Sequence, residues 1–144
     1  MANAIVTEFL NGQLGKGSYT ALDFEADTAL KFALIDHAVH TPLPASDSYY
    51  SDFNAGVVGS LSSALGTRTV GTVGAGVFDA ADLTPAFTSV TGAQCESLNL
   101  IKDTTVASTS PYICYWDTAG GTLPVTPNGG DINIAFNASG IFKI

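Results

Sequence analysis

The residues best suited to chemistry are His37 and His40 in HAVH, since imidazole is the commonest transition-metal ligand and titrates near neutral pH. A spacing of three puts both rings on one side only if the segment is helical, and Pro42 and Pro44 oppose a helix there. No third ligand stands at a workable spacing, whereas a catalytic zinc site needs about three protein ligands and a structural one about four. The pair therefore reads as two loop histidines. The glycine run GTVGAG, Gly71 to Gly76, invites comparison with a phosphate-binding loop. It lacks the Lys-Ser/Thr ending, does not match the dinucleotide spacing, and precedes no expected helix whose dipole could help. Glycines in a tightly packed or bulged strand are the better account.

Carboxylates cluster twice, as Asp79 and Asp82 in VFDAADL and as Asp23, Glu25 and Asp27 in LDFEAD. Paired carboxylates can run glycoside chemistry when they face each other across a cleft. Aspartates in turns most often bond their own backbone instead. No serine sits in a G-x-S-x-G elbow, so a Ser-His-Asp nucleophile is unsupported. The aromatic pairs Tyr49-Tyr50 and Tyr115-Trp116 could line a sugar groove, but neighbours on a strand face opposite sides, so only one of a strand pair can contribute. Asn137-Ala138-Ser139 fits the glycosylation pattern, which matters only in a secreted chain. The start, MANAIVTEFLNG, has no basic n-region, carries Glu8 and lacks a long apolar run; it reads as neither signal peptide nor membrane span. The expectation is an enzyme-free chain with no catalytic residue, cofactor site or metal site.

The elements that must hold these residues are those of one domain spanning residues 1–144, with a helix or arm over 1–17 and a β domain over 27–144. Hydrophobic residues make up 46% and charged residues 12%, below the charge of an ordinary soluble domain. Serine, threonine, asparagine and glycine must then cover the surface. Such an exterior suits a protein packed against other subunits, although many secreted β proteins share it. The formal charge is −8, and the five cations, Lys16, Lys31, Arg68, Lys102 and Lys143, are scattered. Nothing here could neutralise a phosphate backbone, so nucleic acid is disfavoured as a partner.

Ile5, Val6, Phe9, Leu10 and Leu14 share one face at helical spacing, with Asn3 as a cap and Gly15 and Gly17 as stops. That stripe either packs on the domain's own sheet or reaches a neighbouring subunit. Strands are expected over Asp27 to Ile35, within GTRTVGTVGAGVFDAADL, over Gln94 to Lys102, over Tyr112 to Asp117 and over Ile132 to Phe136. Ser46 or Asp47 could cap a single helical turn carrying Tyr49, Tyr50 and Phe53; Val57 to Leu65 is ambiguous between strand and coil. Asn137 to Gly140 should turn the chain so that Ile141, Phe142 and Ile144 tuck under the sheet. Many short β runs without αβ alternation indicate a mainly β fold: an antiparallel β-sandwich or barrel, jelly-roll-like arrangements included, with a short N-terminal helix.

Cys95 and Cys114 are too few for a disulfide framework. A hairpin loop centred near Val106 would pair Lys102 with Pro111 and set Cys114 opposite Asn99. Cys95 would then lie roughly 13 Å along the strand at the usual rise, beyond the Cα separation of about 7 Å that a bridge tolerates. Free, buried thiols are expected.

Four stretches, LNGQLGKGSYTALDFEADTALKFALI, VFDAADLT, IKDTTVASTSPYICYWD and NGGDINIAFNASGIFKI, together resemble a family of small proteins encoded among the structural genes of tailed bacteriophages. The shared pattern is a short helix before a D-T-hydrophobic strand, an A-V-F-D-A-D-D-like segment, K-D-T leading to S-P and a hydrophobic strand, and a G-G-D strand ending in G-I-hydrophobic. The chain departs from it between Asp36 and Leu65, where the family usually shows an acidic, aromatic helical stretch and this sequence has prolines. The resemblance implies a non-enzymatic virion component, assembled in the host cytoplasm. Capsid cement or decoration protein is the first expectation, with the major capsid protein and further copies of itself as partners and neither nucleic acid nor membrane among them. A tail or head-to-tail connector component and a host-surface carbohydrate-binding module are the alternatives. Ile5, Phe9, Leu10, Tyr49, Tyr50 and Trp116 are the candidate protein-interaction residues.

Overall fold

The computed structural model describes residues 4–15, 22–117 and 122–144. In chain order its elements are β1 (Ala4–Ile5), α1 (Thr7–Gln13), β2 (Leu30–Ile35), β3 (Thr69–Val70), β4 (Val77–Asp79), β5 (Leu83–Phe87), β6 (Ser97–Lys102), β7 (Tyr112–Trp116), β8 (Ile132–Ile134) and β9 (Phe142–Lys143). Among the described residues these form a four-stranded sheet ordered β1-β7-β6-β2, a three-stranded sheet β3-β4-β9, and the pair β5-β8, all antiparallel. The fold is mainly β and sandwich-like, with one short α-helix near the N-terminus, and it does not close into a barrel.

The four-stranded sheet is covered on both faces, which is why β2 reads LKFALI with little polar alternation. Leu30, Phe32 and Leu34 point to one face, opposite Lys102, Leu100 and Leu98. Leu98 in turn pairs with Trp116, and Leu100 with Cys114, so an apolar row crosses three strands. The opposite face carries Ala33, Asn99 and Tyr115 in one row, and Ile101 beside Tyr112. There Phe53 packs on Tyr112 with ring centroids 4.5 Å apart, bringing the loop after β2 over that side.

The register differs from expectation by one residue along half of the β6-β7 hairpin. Ile101 faces Tyr112, as the Lys102 to Pro111 pairing requires, but Cys114 lies opposite Leu100 and Tyr115 opposite Asn99. A bulge at Ile113 inserts the extra residue. Both thiols are free and buried. Burial, then the nearby Glu96 and Asp36 charges, pushes Cys95 up to about 11, and burial alone raises Cys114 well above its ordinary range.

The stretch from Val57 to Leu65 is coil that runs along β2, tied to it by one isolated antiparallel bridge between Val57 and Ile35 and by further backbone bonds. Val58, Ser62 and Leu65 donate their N–H groups to the carbonyls of Leu34, Phe32 and Leu30. In return the Phe32 N–H donates to the Ser62 hydroxyl at 2.8 Å, a side chain taking the place of a ladder carbonyl. Ser63 N–H then donates to the Ala86 carbonyl in β5, so this segment hydrogen-bonds the first sheet to the second layer.

Other boundaries moved for local reasons. Ile5 belongs to β1, paired with Cys114, not to the helical stripe; α1 begins at Thr7 with Val6 as an N-cap that offers no side-chain bond. Leu14 is 82% exposed, outside the buried stripe, while Gly15 ends the helix at φ +77°. Asn3, Lys16 and Gly17 lie outside the described residues. Around the Tyr50–Asp52 turn it is Asp52, not Ser46 or Asp47, that caps, accepting N–H bonds from Ser48 and Tyr49. GTVGAG is the loop of the β3-β4 hairpin and not a bulged strand: Gly71 N–H donates to Val77 O, and Gly71 and Gly76 take φ near +78° and +71°.

The final segment turns at Asn137, whose carbonyl accepts from Gly140 N–H. Ile141 N–H then donates to Phe78 O and Ile144 N–H to Gly76 O, bracketing β9 against β4. Phe142 thereby joins Phe9, Phe24 and Phe78, with centroid separations between 4.8 and 6.4 Å. Burying each such ring contributes about 1.5–3 kcal/mol, and edge-to-face geometry adds to it. The helix and the final strand are therefore held by one aromatic cluster.

Candidate functional site

The two histidines have different surroundings. His40 Nε2 lies 2.9 Å from Asp47 Oδ2, and its ring packs beside Phe53. His37 is partly buried, and that desolvation lowers its pKa despite the negative Glu96, Asp117 and Asp36 nearby. Among the described residues no group of three or more His, Cys, Asp or Glu side chains could hold a metal ion.

The acidic residues instead serve as backbone ties. Asp23 accepts the Glu25 and Ala26 N–H groups, Asp27 that of Ala29, and Asp36 that of Ala38. Others reach across the fold: Glu25 accepts from Val70 N–H, Glu96 from His37, Asp131 from Ser89, and Asp82 from Phe136. Three of the cations are similarly occupied. Lys31 pairs with Asp103 at 2.8 Å and Lys102 with Asp27 at 2.7 Å, while the Arg68 guanidinium donates to the Leu65 and Glu25 carbonyls.

Asp103 gives this network a pH signature. Burial alone would raise its carboxyl, but the hydrogen bond from Lys31, the Thr105 N–H and the Lys31 charge together hold it below the usual range. A carboxyl depressed in the folded state contributes stability in full above the unfolded value near pH ~4. That contribution disappears as pH falls through the folded value. Asp103→Asn should therefore unfold more easily than wild type at pH 7, and the gap between their urea midpoints should narrow steadily below about pH 4.

The six interaction candidates occupy different places. Phe9 is 0% exposed, its ring enclosed by Phe24 and Phe142, so in this fold it presents no surface to a partner. Ile5 and Leu10 are partly buried against the same core. Tyr49 and Tyr50 sit at the turn next to Ser110 and Pro111, where Tyr50 N–H donates to Ser110 O. Burial, then the Asp103 charge, raises the Tyr50 phenol. Trp116 lines a groove, while its neighbour Tyr115 turns into the opposite, buried face.

That groove, of about 760 Å³, lies between the four-stranded sheet and β8. Phe32, Leu34, Leu98 and Trp116 form its floor, with the Phe32 ring 5.8 Å from Trp116 and 5.9 Å from Phe136. Phe87, Ile132, Ile134 and Ile141 complete the apolar wall. The alternation of Ile132, Ile134 and Phe136 was visible in the sequence; that these side chains meet Leu98 and Trp116 across an open gap was not. The groove is mainly apolar, with Thr122, Asn133 and Asn137 as its polar members, and among the described residues its lining offers no titratable group for acid-base or nucleophilic work.

No protein-family model matches the chain, and no curated protein matches it.

Proposed function

We propose that this chain is a non-enzymatic structural protein of a tailed-phage virion, a capsid cement protein that clamps neighbouring major capsid subunits. The observation that carries the non-enzymatic part is the assignment of polar groups. Of the carboxylates that could have done chemistry, Asp23, Glu25, Asp27 and Asp82 bind backbone N–H groups or a lysine, while the groove is lined mainly by aliphatic and aromatic side chains. The virion part stands on the sequence resemblance. A clamp acts by burying apolar and hydrogen-bonding surface, and the symmetry of a shell repeats each modest contact many times. The acidic charge of −8 suits a protein that stays soluble before assembly and is repelled by packaged DNA.

The test is a copy count in purified particles by quantitative mass spectrometry and density mapping. A cement protein is expected at a number comparable to the major capsid protein. About a dozen copies or fewer would place it in the tail or connector instead, and absence from every particle would end the virion reading.

A further inference from the structure

We propose that the groove beside β8 docks an extended segment of a partner protein, apolar at alternate positions and flanked by lysine or arginine, which pairs with β8 as an added strand. Three observations carry this. First, β8 has one strand neighbour, β5, among the described residues, and six consecutive residues from Ile132 to Asn137 line the groove. In a strand, consecutive side chains alternate sides, so a lining that includes both sets places the backbone edge itself at the groove. Within it β8 itself, Ile132–Ile134, offers about 10 Å of strand edge at the usual rise, enough for about three residues of a partner strand.

Second, the edge carries no charged or proline guard. Natural sheets guard an open edge with lysine, proline or an inward charge, and INIAFN has none of these. An added strand would meet the edge with its N–H and C=O groups, while alternate side chains would fall onto Leu98 and Trp116.

Third, acidic residues flank the strands that line the groove. Asp117 follows Trp116 in sequence, Asp131 precedes Ile132, and Asp82 accepts the Phe136 N–H. The lysine next to Phe32, Lys31, projects from the other face and is held by Asp103. Basic flanks on the incoming segment complement this rim. The capsid reading enters only in naming which protein supplies the segment. The pairing itself stands on the groove, and the two are tested separately: the titration below uses the isolated full chain, and the particle count does not involve the groove.

The probe is the acetylated, amidated heptapeptide Lys-Val-Thr-Val-Thr-Val-Lys, and the signal is the emission of Trp116, the chain's single tryptophan. A saturable blue shift is expected as the peptide covers the indole. Methylating alternate backbone nitrogens of the peptide should weaken binding about tenfold by removing ladder donors. Replacing both lysines with glutamate should weaken it at low salt, with the difference shrinking as salt is added. Ala135→Lys, at an exposed groove position where the side chain costs the fold little, should abolish the shift while leaving the thermal midpoint unchanged. No saturable response at millimolar peptide overturns the proposal, as does equal binding by the N-methylated peptide. Saturable binding of the dye 1-anilinonaphthalene-8-sulfonate without any peptide response would also overturn it, in favour of a small apolar ligand.

Discussion

Phe32→Ala lowers stability by about 3–5 kcal/mol, a large effect for a single truncation. Phe32 sits at the middle of β2 with 0% exposure, and its ring lies between Trp116 and Phe136 as well as over Leu100. Removing it deletes the contact that joins the main sheet to the residues just after β8. The floor beneath the groove would deepen into the core, and little nearby can collapse to fill the space, because β6 and β7 hold their positions by backbone ladders. Thermal unfolding should show a fall of roughly 10 °C or more for a chain of this size. Val106→Ala, at a residue 53% exposed, is the matched control and should change the midpoint little. A Phe32→Ala midpoint equal to that of the control would refute the packing account.

The second large effect is at Gly140. Its φ of +94° is already unfavourable for a side chain, and an added Cβ would overlap Val77 Cγ1 and come within 3.0 Å of Phe78 O. Gly140→Ala must therefore move the final strand off β4, at a cost of about 3 kcal/mol once the left-handed conformation (about 1–2 kcal/mol) is included. Gly71→Ala separates the two contributions. Gly71 has φ +78°, but nothing lies within 4 Å of its added Cβ, so only the conformational part should appear. Amide exchange gives the spatial readout: Ile141 and Ile144, which donate to Phe78 and Gly76, should lose protection in Gly140→Ala and keep it in Gly71→Ala. Equal losses in both variants would show that the close approach at Gly140 is immaterial.

Legibility in the sequence followed the range of the interactions. LKFALI and YICYW announced strands because apolar and β-branched runs of that length have few other places to go, and the Asn137 to Gly140 turn announced itself through asparagine and glycine. The antiparallel, mainly β class followed from those same local signals. Less visible was anything decided by a partner far along the chain. Ile113 looks like any other strand residue, and only the fit of β7 to β6 makes it a bulge. Val57 to Leu65 has too little alternation to be a strand; it stays irregular but is tied along β2 because Ser62 supplies an acceptor where β2 needs it. Strand β5 was hidden by Pro85, which is tolerated where Ser63 bonds only the carbonyls of Pro85 and Ala86. The groove was the least legible feature, since Trp116 and Phe136 meet Phe32 only after three separate strands have docked.

The order of the main sheet also bears on how fast the protein can reach it. Strands β6 and β7 are neighbours in sequence and can zip through one short loop, but β2 must find β6 from far away; its Lys31 and Asp103 are 72 positions apart. Closing a loop of that size costs chain entropy before any contact repays it. The slow step in folding should then be the capture of β2 by the β6-β7 hairpin, and the ion pairs Lys31-Asp103 and Lys102-Asp27 stand at the end of the ladder where that capture would begin or finish.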